Sequence, residues 1–358
     1  MRKKQAISST AAALVLLLLG TSAAAQDAAG KRSHFSLDLG VRWDDNIGLA
    51  PDDQDQEYIG DDQLDEFTTG LAIRYAYDVV STQSSELTAG ITGFYNAVAD
   101  LEGLSNSGLT VDVAYRSEFG PEFTDPWYSL SASYTLASFQ DSRIRDGDWF
   151  ELEAMVGKRF SPKFGLSGGA RYFDRSQDND TRLCPNRPTR LNCPGVSAAN
   201  PQGWSPDEVF EQDRWGVFVH ADWFVSDNTA LFAEYSYWDG DEDATLALRS
   251  AAGGQRDPGW LNGQDVFADD PAFGQPSFRN ANTGAVTNNV DFIVWKVDTT
   301  QHVFELGVRQ RLTDTIGLEV IGVYLTTSAT TSPGRRGDDS LDDYENTALM
   351  ANLTFTLN

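Results

Sequence analysis

Charged side chains recur along this sequence at spacings that place them on one face of a β-strand. Glu151 and Glu153 are two residues apart, and Arg309 stands four residues after Glu305. Because successive side chains of a strand point to opposite faces, such residues share a face. Guanidinium and carboxylate groups that face one another can form bidentate ion pairs, or they can bind a charged solute. The pattern indicates a charged face to which several strands contribute.

Ten charged residues are the candidates to line a lumen. They are Arg42, Arg74, Arg116, Arg171, Arg214, Arg309, Glu151, Glu153, Glu234 and Glu305. The same alternation assigns further charges to this face, namely Asp38, Asp78, Asp112, Glu118, Asp222, Glu319, Arg159, Arg175 and Arg311. Acids and bases nearly balance, so ion pairs that brace the wall are the simpler interpretation. The alternative interpretation is a track of arginines for anionic sugars.

Aspartates cluster elsewhere in the sequence, and clustered carboxylates suit calcium. Asp44 and Asp45 belong to WDDNI, and Asp239, Asp241 and Asp243 belong to DGDEDAT. The second spacing resembles the start of an EF-hand loop, but the glycine of its sixth position and the glutamate of its twelfth are absent, which excludes a true EF-hand. Calcium at these acidic loops is the one candidate cofactor. A solvated surface is the plainer interpretation.

The three histidines, His34, His220 and His302, are the residues on which a hydrolase would depend. A lipid-cleaving barrel pairs a histidine with a serine on its lipid-facing wall, and no serine lies two residues from His302. Neither a glycine-rich phosphate loop nor a cysteine nucleophile appears. We predict that the protein has no catalytic residues and is not an enzyme.

Apolar residues separate these charges with a two-residue period. The period begins at Phe35 and continues, with interruptions, to Leu357. About twelve such segments occur, each about 10 residues long, which is the length that a tilted strand needs to cross a bilayer. Aromatic residues stand at the ends of several apolar faces, as Trp215 and Trp223 do, and membrane–water interfaces favour such rings. A soluble β-sandwich also alternates, but it would place its largest side chains mid-strand.

The connections between these segments are short and long in turn. The short ones are VSTQSS, GPEFTDP, SPK, VSDN and TDT. The longer ones run from Asp44 to Glu66, from Asp174 to Asp213, from Asp239 to about Val297 and from Thr327 to Asp343. Outer-membrane barrels alternate short periplasmic turns with long external loops. The sequence therefore predicts an all-β fold, a transmembrane antiparallel up-and-down β-barrel of about twelve strands with long extracellular loops and both termini in the periplasm.

Composition limits the partners and the cellular compartment. The chain has 358 residues, with 27 Lys and Arg against 53 Asp and Glu, and so acidic a protein is not expected to bind nucleic acid. Residues 1–25 pass from a basic start through AAALVLLLLG to an A-x-A site, which predicts a secretory signal peptide followed by a barrel domain at 26–358. In an exported protein Cys184 and Cys193 are expected to form a disulfide within a loop.

The segment WDDNI, from Trp43 to Ile47, resembles the D-D-N-I turn of outer-membrane barrels classed as the β-barrel porin type 2 group. The resemblance implies an outer-membrane barrel, with a link to exopolysaccharide export for some members of that group. The end of the chain departs from the usual pattern. Its last aromatic residue is Phe355, whereas barrels usually end on a Phe or Trp that the barrel-assembly machinery recognises.

Two hypotheses of function follow from these observations. The leading one is a porin-like passive channel or export conduit of the outer membrane. The alternative is a closed barrel that serves as a surface-exposed binding or structural module through its acidic extracellular loops. The expected partners are outer-membrane lipid and lipopolysaccharide, the barrel-assembly machinery, and an anionic saccharide or other small solutes.

Overall fold

The computed structural model describes residues 33–47, 66–99, 104–140, 145–177, 211–247, 277–279, 286–288, 292–330 and 344–357. The predicted signal peptide and the predicted disulfide between Cys184 and Cys193 lie outside the described residues. Within the described ranges, no helix is long and apolar enough to cross a membrane.

Twelve strands, each antiparallel to its neighbours, form one closed barrel. In chain order they are β1 (Ser33–Asp44), β2 (Glu66–Ser81), β3 (Ser85–Val98), β4 (Asn106–Glu118), β5 (Trp127–Phe139), β6 (Gly147–Ser161), β7 (Phe164–Gln177), β8 (Gln212–Ser226), β9 (Thr229–Ala247), β12 (Phe292–Arg311), β13 (Ile316–Thr330) and β14 (Tyr344–Leu357). The short strands β10 (Ser277–Arg279) and β11 (Val286–Asn288) pair only with each other. Pairing of β1 with β14 closes the ring. The predicted all-β barrel of twelve strands is confirmed.

The exposure of the side chains explains the two-residue period. On β2, Phe67 and Leu71 have 60% and 40% of their surface exposed, whereas Thr68 and Asp78, on the other face, have 2% and 8% exposed. The exposed face is the outside of the barrel, and it is apolar on strand after strand. A contiguous apolar exterior this large is unfavourable in water and favourable in lipid, where a closed barrel satisfies every backbone polar group. The fold is therefore that of a membrane-spanning barrel.

Aromatic side chains mark the two borders of the apolar band. Trp215 and Trp223 stand at opposite ends of the outer face of β8, with 49% and 59% of their surface exposed. Phe150 and Phe160 are placed in the same way on β6. On a strand tilted by about 40° the tryptophans are separated by about 20 Å across the membrane and the phenylalanines by about 26 Å, close to the apolar band of about 25 Å in outer-membrane barrels.

The two ends of the barrel differ in their connections. At one end, the strands are joined by residues 82–84, 119–126, 162–163, 227–228 and 312–315. The barrel also begins and ends there, because Phe35 of β1 pairs with Leu357 of β14. We call this the short-turn end. At the other end, which we call the loop end, the connections 99–105 and 140–146 have seven residues each and the other four have at least 13.

One predicted loop begins too early. The sequence prediction placed the connection from Asp239 to about Val297, but β9 continues to Ala247 and pairs with β12 from Phe292 onwards. Asp239, Asp241 and Asp243 therefore lie on a strand, which corrects their assignment to an acidic loop. On β9 the apolar alternation stops at Trp238, so the sequence does not mark the extension there, whereas the apolar run FIVWKV at 292–297 is a signal of it on β12.

Candidate functional site in the barrel lumen

The ten charged residues predicted to line a lumen all lie on the inner face of the barrel. Each of them stands at a position that the two-residue alternation of its strand assigns to the lumen, on β1, β2, β4, β6–β9 and β12. Most of them come together in ion pairs that link different strands. Two groups of pairs lie along the wall, and the pair of Arg214 with Glu242 lies apart from them towards the loop end.

The first group is centred on Arg171 of β7. Its Nε donates to Glu153 of β6 at 2.7 Å, and its Nη1 donates to Glu234 of β9 at 2.6 Å. The guanidinium plane lies over the ring of Phe218 on β8, 3.8 Å from the ring centroid. The aromatic ring covers the face of the guanidinium group while the two carboxylates occupy its in-plane donors.

His220 and Arg309 continue the same group. His220 is within hydrogen-bonding distance of Glu234, at 3.1 Å from Nδ1, and of Asp222, at 3.2 Å from Nε2. Arg309 of β12 contacts Asp222 at 3.5 Å and donates to Glu319 of β13 at 2.5 Å. The chain of charges therefore runs without interruption over six neighbouring strands, from β6 to β13. We call it the ionic ladder; its members are Glu153, Arg171, Glu234, His220, Asp222, Arg309 and Glu319.

Two predicted acids lie on the same face without joining these contacts. Glu305 has 7% of its surface exposed, and its Oε1 is buried without a hydrogen-bond partner. Glu151 stands two residues before Glu153 on β6. Two further acids therefore lie on the face of the ladder, one of them buried, and this region of the wall tolerates little loss of positive charge.

The second group lies on the opposite wall. Arg74 of β2 forms a bidentate pair with Asp112 of β4, at 2.5 Å and 2.7 Å. The pair spans β3 above Gly90, where an added Cβ would lie 2.6 Å from Nη2 of Arg74 and 2.7 Å from Oδ1 of Asp112. Gly90 therefore provides the space in which the two side chains meet.

The same device recurs with aromatic side chains. In each case a large residue lies over a glycine of the neighbouring strand, and a Cβ at that glycine would be 2.3 to 2.7 Å from the ring. The pairs are Phe94 over Gly108, Trp127 over Gly157, Trp238 over Gly216 and Phe232 over Gly307. Because these side chains lie along the wall, they cover it without projecting far towards the barrel axis.

Towards the loop end the inner face is packed. Phe139, Trp149 and Phe173, all less than 9% exposed, form a hydrophobic cluster against which Phe94 and Trp238 pack. Phe94 and Trp238 belong to β3 and β9, which are on opposite sides of the ring of strands.

A buried polar cluster lies at the same end. Glu242 contacts Arg214 at 3.3 Å and accepts hydrogen bonds from Gln301 and Tyr344. All four side chains are at most 5% exposed. A hydrophobic cluster and a polar cluster therefore fill the inner face at the loop end.

Towards the short-turn end the inner face is more open. The side chains of Arg309 and Asp222 are 27% and 28% exposed, and that of Arg116 is 43% exposed. The lumen-facing residues of β5 between Trp127 and Thr135 are the small serines 129, 131 and 133. Water therefore reaches the lumen from the short-turn end, up to the level of the ionic ladder.

The WDDNI segment fastens the closing seam of the barrel. Asp45 donates its backbone N–H to the carbonyl of Thr347 at 3.0 Å, and its carboxylate accepts the N–H of Thr347 at 2.6 Å. Asn46 donates to the carbonyl of Glu345, and Asn346 donates in return to the carbonyl of Asn46. The motif therefore extends the contact between β1 and β14 beyond the last residue of β1.

Ile47 and Asp44 of the motif are buried. Ile47 is 1% exposed and packs with Val98 and Leu104. Asp44 is fully buried and paired with Arg42. Within the described residues, no group of three or more His, Cys, Asp or Glu side chains could hold a metal ion. Calcium at the remaining acidic segments stays a prediction.

Each histidine has a specific partner. His34 contacts Asp78 at 2.7 Å at the short-turn end, and His220 is part of the ionic ladder. His302 faces lipid, where its Nδ1 lies 2.8 Å from the hydroxyl of Tyr235. These contacts account for the histidines as structural groups; the absence of enzyme activity stays a prediction.

The sequence interpretation missed the aromatic residues of the inner face. Phe218 and Phe232 stand at positions that the two-residue period assigns to polar side chains, and each lies under a guanidinium group. The sequence does contain a signal: at these two lumen positions, where the two-residue period calls for a polar residue, an aromatic residue stands instead. The period alone does not reveal which arginine each ring supports.

Comparison with solved structures finds membrane barrels at low similarity. The translocator domain of the autotransporter NalP from Neisseria meningitidis has a TM-score of 0.37 and 11% identity, over 92% of this chain and 90% of that chain. The NanC porin has a TM-score of 0.37 and 9% identity, over 89% and 100% of the two chains. Outer membrane phospholipase A from Escherichia coli has a TM-score of 0.33 and 10% identity, over 91% and 96%. No family model and no curated protein matches the sequence. The fold assignment rests on the strand pairing described above.

Proposed function

We propose that the protein is a porin-like barrel of the bacterial outer membrane, which provides a narrow passive path for small solutes. The observation that carries the proposal is the ionic ladder. Its charged side chains line a part of the lumen that water reaches, and they are held in place by one another and by aromatic rings. A fixed row of alternating charges gives a polar solute interactions that replace part of its hydration.

The packed loop end limits what could pass. The side chains of Trp149, Tyr344 and Glu242 are buried there, so a wide polymer would have to displace them. We therefore propose small ions and small polar solutes as cargo. An exopolysaccharide, as implied by the resemblance of WDDNI, would need a wider opening at this end.

Conductance in a planar bilayer tests the proposal. Purified protein that inserts with stable, small and uniform conductance steps supports a channel. Insertion that protects the barrel from protease without any conductance would contradict it. That second result would favour the alternative, a closed barrel that acts at the surface through its acidic loops. The packed inner face at the loop end is the observation that supports this alternative.

A deletion variant sharpens this test. Because β9 ends at Ala247 and β12 begins at Phe292, residues 248–291 can be replaced by a short turn without removing a barrel strand. If this segment restricts the path, the deletion variant will have a larger conductance than the wild-type protein. If the conductance is equal, the restriction lies in the barrel itself, where Trp149 and Tyr344 are packed.

We also propose that the short-turn end faces the periplasm. Outer-membrane barrels place short turns on that side, and both ends of the described barrel, Ser33 and Leu357, lie there. The outer-membrane lipid and lipopolysaccharide would then surround the apolar band, and the barrel-assembly machinery would insert it. An epitope at the C-terminus should be inaccessible to antibody in intact cells and accessible after the outer membrane is permeabilised.

A further inference from the structure

Arg159 of β6 differs from the arginines of the ladder in its surroundings. Its Cζ lies 4.5 Å from the ring centroid of Phe123 and 4.6 Å from that of Phe224. Among the described residues, no carboxylate oxygen lies within 4.0 Å of its nitrogens. The guanidinium group is therefore held by two aromatic rings and is not neutralised by an acid in contact with it.

The position of Arg159 is set by its neighbours at the short-turn end. Phe123 belongs to the 119–126 connection, and Phe224 lies close to the end of β8. The Cγ of Arg159 lies 3.7 Å from the position that a Cβ of Gly165 would occupy. The arginine stem thus crosses β7 over a glycine, which lets the guanidinium group reach the ring on β8.

The ladder shows what a guanidinium group in such a setting binds. Arg171 and Arg309 also lie over aromatic rings, at 3.8 Å and 4.2 Å, and their in-plane donors bind carboxylates at 2.5 to 2.7 Å. Ring contacts cover the flat faces of the group and leave the N–H donors at its edge. Arg159 has the ring contacts and has no protein carboxylate at its edge.

A second weakly paired cation lies nearby. The Cζ of Arg116 is 4.1 Å from the ring centroid of Trp127, and its nearest ion-pair contact, with Glu118, is 4.0 Å long. Trp127 in turn lies over Gly157, which shares the lumen face of β6 with Arg159. Trp127 therefore contacts Arg116 on one side and, on the other, covers the β6 wall two residues from Arg159.

The acids of this region have other contacts. Asp222 is held by His220 and Arg309. Glu86, the cross-strand neighbour of Arg116, accepts a hydrogen bond from Thr88 at 3.2 Å. These carboxylates lower the local positive potential, but none of them occupies the edge of Arg159.

We propose that Arg159, assisted by Arg116, forms a binding site for the carboxylate or phosphate group of a small solute at the short-turn mouth of the lumen. Planar guanidinium groups bind such groups in bidentate fashion. If the barrel is a channel, this site makes an anion its solute. The role of the site in transport therefore rests on the proposed function. Binding itself needs only the mouth of the barrel and can be measured whether or not the pore conducts.

Isothermal titration of the purified barrel in non-ionic detergent tests the site. The probes are glucuronate, inorganic phosphate and, as a neutral counterpart, glucose. The wild-type protein should bind both anions and not glucose, and Arg159→Gln should weaken anion binding at least about tenfold, because it removes a charged bidentate donor. Arg311→Gln is the matched control: this arginine lies at the same mouth but donates to the amide oxygen of Asn228 and to the carbonyl of Asp227. The affinity of the Arg311→Gln variant for glucuronate and phosphate should stay within about twofold of the wild-type value.

A second variant tests the site without a change in any strand, so that misfolding of the barrel cannot explain its result. Phe123 lies in a turn and is 53% exposed, so Phe123→Ala removes one ring of the site without changing a strand. It should weaken anion binding about threefold, in line with the loss of a single cation–π contact. The proposal is overturned if wild type binds glucose as well as glucuronate, or if Arg159→Gln in a folded barrel binds like wild type. Anion binding without conductance would instead overturn the channel and leave the site standing.

Discussion

The two halves of the lumen use similar residues and differ in their contact with water. At the loop end, Arg214 and Glu242 are 5% exposed, and Arg214 lies over the rings of Phe173 and Trp238. At the short-turn end, Arg309 and Asp222 form a comparable pair with more than a quarter of each side chain exposed. A charge in the packed half depends on its partner, because no water replaces the partner when it is lost. In the open half, water or a solute can do so.

The largest effect should follow the loss of Glu234, at the border of the two halves. Its carboxylate holds both Arg171 and His220, and its side chain is 7% exposed. Glu234→Ala would leave two largely buried bases without this partner, so we expect the free energy of unfolding to fall by about 3–5 kcal/mol. Urea unfolding in lipid vesicles measures it.

Glu118→Ala is the matched control for this comparison. Its side chain is 33% exposed and its contact with Arg116 is 4.0 Å long. Exposed pairs contribute little, so the loss should be below about 1 kcal/mol. Equal losses for the two variants would show that the halves do not differ in their access to water.

Filling the space above Gly90 should have the next largest effect. A Cβ there would meet Arg74 and Asp112 at less than 2.8 Å, so Gly90→Val should separate the bidentate pair and cost about 2 kcal/mol. Gly93, on the same strand, has no atom within 4 Å of its Cβ position. Gly93→Val should therefore stay within about 0.5 kcal/mol of wild type in the same unfolding assay.

A smaller effect should follow removal of a single hydroxyl group from the packed half. Tyr344 is 1% exposed, and its hydroxyl contacts Glu242 and Gln301. Tyr344→Phe should cost about 1–2 kcal/mol, because the buried partners lose a hydrogen bond. Tyr95, on the lipid-facing side, is 46% exposed, and Tyr95→Phe should cost less than about 0.5 kcal/mol. A larger loss for Tyr95→Phe would contradict the packing described here.

The strands were predictable from sequence because one physical rule governs all of them. A wall between lipid and lumen requires alternation, and residues such as Leu71 and Asp78 reveal their faces by type alone. The lumen-facing charges were predictable for the same reason. The pairing of Arg171 with both Glu153 and Glu234 was not, because it depends on which strands are neighbours and on their register.

Other features follow from properties that the period does not encode. The extension of β9 beyond Asp239 is held by backbone pairing with β12, which polar residues satisfy as well as apolar ones. The hydrogen bonds by which WDDNI holds β14 depend on Thr347 and Asn346, which lie at the other end of the chain. Residues so distant in sequence give no local signal of their contact.

Thiol labelling along β5 tests the central claim, that the lumen is open to water at the short-turn end and packed towards the loop end. Ser131 and Thr135 lie on the same lumen face of this strand, but Thr135 is 2% exposed and hydrogen-bonded to Thr110. Single cysteines at these two positions, in a protein whose own Cys184 and Cys193 are replaced by serine, would be treated with a charged, water-soluble thiol reagent. The account predicts that Ser131→Cys reacts at least about tenfold faster than Thr135→Cys, since a buried thiol is inert. Equal rates at the two positions would contradict it.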